Sequence, residues 1–293
     1  MRSHRNLSPL ERAMHPLRFF ALSGVALLVA GCSKDSTFVE PIPPLAAIHF
    51  VHAVPDTMPM DFRVVDIVSN AGLFDATFRT ANMFYTGIEA GNRRIRVFIS
   101  STDPAVTGVP IYDTTFAFSQ NTDYTFIHTG FARTGQSPAR TVWIVTDNAT
   151  APGAGQIGLR LIHAGAGLGA VDINLTRHAA DTLPDAPLLG NVSYGTVGNY
   201  VTVAADVAAA DSLRIVVTAA GTKTPVLFTL KLPTGAAGTS SANPIAGARV
   251  EGSAMTAVVV PASVVGSTAP QGGAFAAPSA VVLVDRRPPN TAP

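Results

Sequence analysis

The hexapeptide Ile48-His-Phe-Val-His52-Ala53 recurs as Leu159-Arg-Leu-Ile-His163-Ala164, 111 residues further on. The same spacing carries Asp61 onto Asp172, and Met60, Phe62 and Val64 onto Val171, Ile173 and Leu175. Later matches drift, as loop insertions make them do. Ile95-Arg96-Val97 meets Leu213-Arg214-Ile215, and the run ending in Asp147 meets the run ending in Asp285. A repeat of domain length restricts the chain to two units of one design.

Each unit consists of short β-branched and aromatic runs broken by Gly, Pro, Asn and Asp. In the first they are Ala46–Ala53, Met60–Val68, Arg94–Ser100, Tyr112–Ser119, Asp123–Thr129 and Thr141–Thr146. Ile95, Val97 and Ile99 alternate with Arg94 and Arg96, the two-residue period of a half-buried strand. The pattern predicts an all-β chain of two tandem Ig-like antiparallel β-sandwich domains. Their expected bounds are 45–147 and 156–285, with a linker over 148–155 and a disordered tail over 286–293. Ala204–Ala210 is the one helical candidate.

The N-terminus carries an address. Arg2, Arg5, Arg12 and Arg18 precede Phe19–Gly31, 13 residues without a charge. That suits a secretory signal core and falls short of the ~20 residues that span a bilayer. The run closes in Val29-Ala30-Gly31-Cys32, which resembles a bacterial lipobox. Residues 1–31 are therefore expected to be a lipoprotein signal peptide, cleaved between Gly31 and Cys32, with Cys32 acylated. Residues 32–44, polar and then proline-rich, form the tether. Ser33 is not the Asp that resembles an inner-membrane retention signal, so the outer membrane of a Gram-negative-type bacterium is the expected location. The membrane becomes a partner through the lipid.

Cys32 is the only cysteine of the 293 residues, so no disulfide or thiolate metal site is available once it is acylated. Removing the signal leaves 16 basic and 18 acidic side chains, which shifts the formal charge from +1 to −2. No basic stripe remains for nucleic acid. Neither a metal nor a cofactor is expected.

Both halves are similar in order to the bacterial domain-of-unknown-function 4397 family. The first carries His52-Ala53-Val54-Pro55-Asp56, Asp61, Tyr85, Ala90-Gly91, Tyr124-Thr125 and Asp147. The second carries His163-Ala164, Asp172, Tyr194-Gly195, Tyr200 and Asp285. It departs where Gly165-Ala-Gly-Leu replaces the Pro-Asp turn and Met255-Thr256 stands for Tyr-Thr. The resemblance implies exported, surface-attached β-sandwiches and supplies no catalytic residue.

Six side chains stand out as a ligand-binding or structural motif: His52, Asp61, Tyr85, His163, Asp172 and Tyr200. An imidazole at the inner end of an apolar strand ordinarily bonds the adjoining turn. Strand parity puts Asp61 beside Arg63 and Asp172 beside Asn174, away from the apolar face. Tyrosines near sandwich corners fix loops or present flat rings to sugars. Gly153-Ala-Gly155-Gln-Ile-Gly158 matches G-x-G-x-x-G, but it leads into a strand instead of the helix that dinucleotide binding requires. No G-x-S-x-G elbow occurs. Trp143 is expected at a sheet face or domain junction. The expected function is display: a non-catalytic, lipid-anchored envelope protein offering two sandwiches to a glycan or an envelope protein. The alternatives are a periplasmic or surface hydrolase or metal enzyme using His52 or His163, and a purely structural spacer.

Overall fold

The computed structural model describes residues 43–67, 72–206 and 212–291. The signal peptide, Cys32 and nearly all of the tether lie outside these residues, as does 207–210 of the helical candidate. Ala204, the start of that candidate, ends a strand.

The first repeat contains β1 (Leu45–His52), β2 (Met60–Val64), β3 (Gly72–Ala76), β4 (Thr86–Glu89), β5 (Gly91–Ile99), β6 (Tyr112–Phe118), β7 (Asp123–Thr129) and β8 (Thr141–Asp147). The second contains β9 (Gln156–His163), β10 (Val171–Thr176), β11 (Leu189–Val192), β12 (Val201–Ala204), β13 (Arg214–Ala219), β14 (Val226–Lys231), β15 (Ala254–Val260) and β16 (Ser279–Arg286). One helical turn, Pro104–Thr107, is capped by the Asp103 carboxylate.

Sheet orders are β4-β1-β7-β8 and β3-β2-β5-β6 in the first half, and β12-β9-β15-β16 and β11-β10-β13-β14 in the second. Adding eight to each strand number turns the first pair of sheets into the second. The halves thus share one topology as well as a sequence pattern.

Alternation along the strands then sets the layers. Ile48 and Phe50 of β1 meet Phe62, Ile95, Val97 and Phe126 inside the first sandwich. Leu159 and Leu161 of β9 meet Ile173, Ile215, Val217 and Met255 inside the second. The opposite faces are largely covered as well. Val51, Ile127 and Trp143 pack against Ile162, Val258, Val260 and Leu283 in a third apolar cluster, contributed by both halves. The four sheets therefore stack as four layers, with β4-β1-β7-β8 facing β12-β9-β15-β16 across the middle. Full burial of each large side chain contributes about 1.5–3 kcal/mol, so this seam is a core in its own right. Trp143 lies in it, at the junction.

The central strands correct the expectation of wholly antiparallel sheets. β1 runs parallel to β7, pairing Ala47 with Asp123 through His52 with His128. β9 likewise runs parallel to β15. The residues between the partners, which build the outer sheet, supply the long crossover that parallel pairing needs. Sheets covered on both faces favour near-continuous apolar strands, and β1 and β9 have that composition.

Loops tighten the seam. Arg79, at φ 69°, donates to the carbonyls of Pro261, Ala274 and Ala277 on the β15–β16 connection. Its guanidinium lies over the Phe78 and Phe275 rings. The expected disordered tail also needs correction in its described part. Arg286 still belongs to β16, and Asn290 Nδ2 donates to the Thr239 and Ala242 carbonyls at 2.9 and 3.2 Å.

Candidate functional site

His52 and His163 end β1 and β9 on the sandwich-core side, each 0% exposed. His52 Nδ1 accepts the Val54 N–H at 3.3 Å, and His163 Nδ1 accepts the Gly165 N–H at 3.2 Å. His163 Nε2 then donates to the Gly169 carbonyl at 3.1 Å. His52 Nε2 points toward the Met58 carbonyl, six residues on in the same way, though outside good hydrogen-bond geometry. Each imidazole thus holds the turn that follows its strand. Burial pushes His52 down to about 4 and lowers His163, which keeps both rings neutral. His128 lies beside His52, with ring centroids 6.2 Å apart, and burial lowers it well below the usual imidazole value.

Asp61 and Asp172 share a different task. Both stand where the strand register shifts. Opposite them, Asp75 at φ 48° and Asn191 at φ 52° adopt the left-handed backbone that Asp and Asn tolerate. The Asp61 carboxylate accepts the Asp75 N–H at 3.0 Å, and Asp172 accepts the Asn191 N–H at 2.8 Å. Asp172 also accepts the Gly221 N–H at 2.8 Å, whereas Asp61 spends its other oxygen on Arg63. The repeated Asp fastens a bulged edge strand in each sandwich. His and Asp are not brought together in either half.

The two tyrosines lead to a constellation that spacing did not reveal. Tyr85 Oη donates to Asp147 Oδ2 at 2.7 Å, and Thr125 Oγ1 donates to the same oxygen at 2.7 Å. The other oxygen, Oδ1, pairs with Arg160 Nη2 of the second half at 2.6 Å. Arg160 Nε donates to Thr256 Oγ1 at 2.7 Å, and Thr256 donates to Asp285 Oδ2 at 2.7 Å. The Tyr200 ring lies under the Arg160 guanidinium, 4.8 Å from its centroid. His49 stacks on Tyr85 at 3.8 Å.

These eight residues form two matching sets across the seam. His49, Tyr85, Thr125 and Asp147 come from the first half; Arg160, Tyr200, Thr256 and Asp285 occupy the corresponding places in the second. Arg160 crosses to Asp147. His49 crosses to Asp285, its Nε2 lying 3.7 Å from Oδ1. The side chains of His49 and Asp285 are 0% exposed, Asp147 1% and Arg160 2%. Burial pushes Asp285 up to about 7, against the pull of Arg160 and the Thr256 hydroxyl, and it pushes His49 down to about 4. Burial and the neighbouring carboxylates raise the Tyr85 hydroxyl far above its ordinary range.

Several parts of this seam were visible in the sequence as repeated Tyr, Thr and terminal Asp. Arg160 and His49 differ between the halves and so carry no shared motif. What marks them is parity: each is the one ionisable residue on the outward face of its strand, beside Ala47 and Val51 in β1 and Gly158 and Ile162 in β9.

Among the described residues no group of three His, Cys, Asp or Glu side chains could hold a metal ion. A cleft of about 540 Å³ opens between Pro152–Ala154, Gly252 and Pro288, and none of the eight seam residues lines it. The G-x-G-x-x-G run bends at Gly155, at φ 68°, into β9. Asp181 accepts the N–H groups of Arg177 and His178, and Asp185 pairs with Lys223, so that loop secures itself.

No curated protein matches this chain. Residues 46–174, which hold the first sandwich from the second residue of β1 together with β9 and most of β10, match the family model described as Domain of unknown function (DUF4397).

Proposed function

We propose that the protein is a non-catalytic, lipid-anchored component of a bacterial cell envelope, displaying two sandwiches of the DUF4397 kind for adhesion or partner binding. The second sandwich, on this reading, is a further copy of the matched family, because it repeats the strand order and both motif aspartates. The observation that carries the display reading is the employment of the candidate residues. His52, His163, Asp61 and Asp172 each hold a backbone turn or bulge, while Tyr85 and Tyr200 lie in the seam. A hydrolase or metal enzyme built on His52 or His163 requires a ring that water and substrate can reach, and both rings are 0% exposed.

Mass spectrometry of the N-terminal peptide from the native host tests the anchor. The expected species begins at Cys32 and carries diacylglycerol; a retained Met1 or a free thiol at Cys32 rejects it. A pull-down from envelope extract with the lipidated protein tests display. Recovery of a stoichiometric protein or a polysaccharide supports it, and recovery of neither favours a spacer.

A further inference from the structure

We propose that the seam is a proton-gated latch, in which one proton shared by Asp285 and His49 holds the two sandwiches together and its loss loosens them. Hydrogen-bond accounting leads there first. His49 Nδ1 lies 2.9 Å from the Asn82 carbonyl, which can only accept, so the ring proton of neutral His49 sits on Nδ1. That leaves Nε2 as a bare lone pair. It faces Asp285 Oδ1, with the Val284 carbonyl near the imidazole and the Tyr200 hydroxyl near the carboxylate; none of His49 Nε2, Asp285 Oδ1 and Tyr200 Oη makes a hydrogen bond of good geometry. Two acceptors confront each other at 3.7 Å in a dry interface. One added proton, whichever atom carries it, turns the repulsion into attraction and lets the two atoms close to hydrogen-bond distance.

Charge accounting agrees. The groups facing the pair are Asn82 and Tyr85 ahead of β4, Thr125 of β7, Asp147 of β8, Arg160 of β9, Tyr200 ahead of β12 and Thr256 of β15, with Asp123 near the rim. Among them Arg160 is the one cation and Asp147, its partner at 2.6 Å, the matching anion. Arg160 lies 3.8 Å from Asp285 Oδ1, so its charge is already committed. Without the shared proton the seam holds one uncompensated negative charge. The second half shows what a permanent solution looks like, because Arg160 stands where the first half has His49. A metal ion in the proton's place would sit against the Arg160 guanidinium.

The sign follows from counting protons. With the sandwiches apart, His49 keeps a proton only below about 6.5, and Asp285 is ionised above about 4. Between those values the open and closed pairs each hold one proton, and closure is independent of pH. Above about 6.5 the open pair is empty while the closed pair keeps its proton. Closure then weakens by up to about tenfold per pH unit until the closed pair also ionises. The released proton passes to solvent.

The test uses the full chain at pH 5.5, 6.5, 7.5 and 8.5, following amide exchange in β1 and β9, corrected for intrinsic base catalysis, and the emission of Trp143, the only tryptophan. Opening is expected to be nearly flat below pH 6.5 and to rise about threefold by pH 8.5, where the closed pair has also ionised. Asp285→Asn places an amide donor permanently opposite Nε2 and should abolish the rise. Asp123→Asn should keep it. Superimposable curves for the wild type and Asp285→Asn overturn the proposal. Should the variant not fold, ¹⁵N shifts of wild-type His49 decide: Nε2 is expected to move to a bare-lone-pair value between pH 6 and 9, and an invariant shift overturns the latch.

Discussion

Asp147 and Asp285 occupy equivalent places at the ends of equivalent strands, yet they live in different chemistry. Asp147 receives two hydroxyls and a guanidinium. Asp285 receives one hydroxyl and faces a histidine lone pair. The difference traces to one position, His49 against Arg160. The shared topology thus preserves the geometry of a buried polar seam while one substitution changes whether the group facing the carboxylate across it is a fixed cation or a neutral ring. A buried carboxylate matched by a fixed cation ionises at little cost; the same group opposite a neutral ring favours protonation.

The largest effect should come from breaking the matched side. Asp147→Asn removes the carboxylate paired with Arg160 at 2.6 Å and leaves only Asp285, at 3.8 Å, as its counter-charge; it should destabilise the chain by about 3 kcal/mol in equilibrium urea unfolding. Asp285→Asn, which mimics a protonated carboxyl, should cost about 1 kcal/mol or less near pH 7. Equal losses for the two variants would mean that the two carboxylates sit in equivalent environments.

A second contrast separates the sandwich cores. His52 pairs across the sheet with His128, whereas His163 pairs with Val259. A buried histidine whose value is depressed contributes stability that is complete above about 6.5 and is lost as pH falls toward its folded value. For His52, pushed down to about 4, the loss approaches roughly 3 kcal/mol by that pH. The acid-side decline should therefore be steeper in the first sandwich. His128→Val, which installs the second sandwich's residue, should make the melting temperature fall less between pH 6.5 and 4.5. An unchanged acid profile would remove His128 from the account.

A third contrast concerns the bulges. Asp172 satisfies two backbone amides and Asp61 one. Asp172→Ala should cost about 1–3 kcal/mol and expose β11 to amide exchange, and Asp61→Ala should cost less at β3. Reversal of that order would mean that the Arg63 partnership outweighs the second amide.

Much of the fold was legible because period-two alternation and a 111-residue repeat are local properties of the chain. The all-β class and the motif residues His52, Asp61, His163 and Asp172 follow from them. Parallel pairing was not legible, since the strands that pair, β1 with β7 and β9 with β15, are separated by whole sheets. Nor did the sequence announce that the outward faces of β1 and β9 meet each other. His49 and Arg160 look like ordinary solvent-facing residues until Asp285 and Asp147 arrive from the other half.

By itself the amino-acid order determined two similar β-units, which face of each strand is apolar, and the turn and bulge residues that set their edges. Those features depend on neighbours a few residues apart. Only the tertiary structure decided that the units share a core, and which carboxylate meets a cation and which meets a lone pair. That outcome depends on distance across a dry interface, where a shift of charge by one residue's identity decides whether a proton must be held.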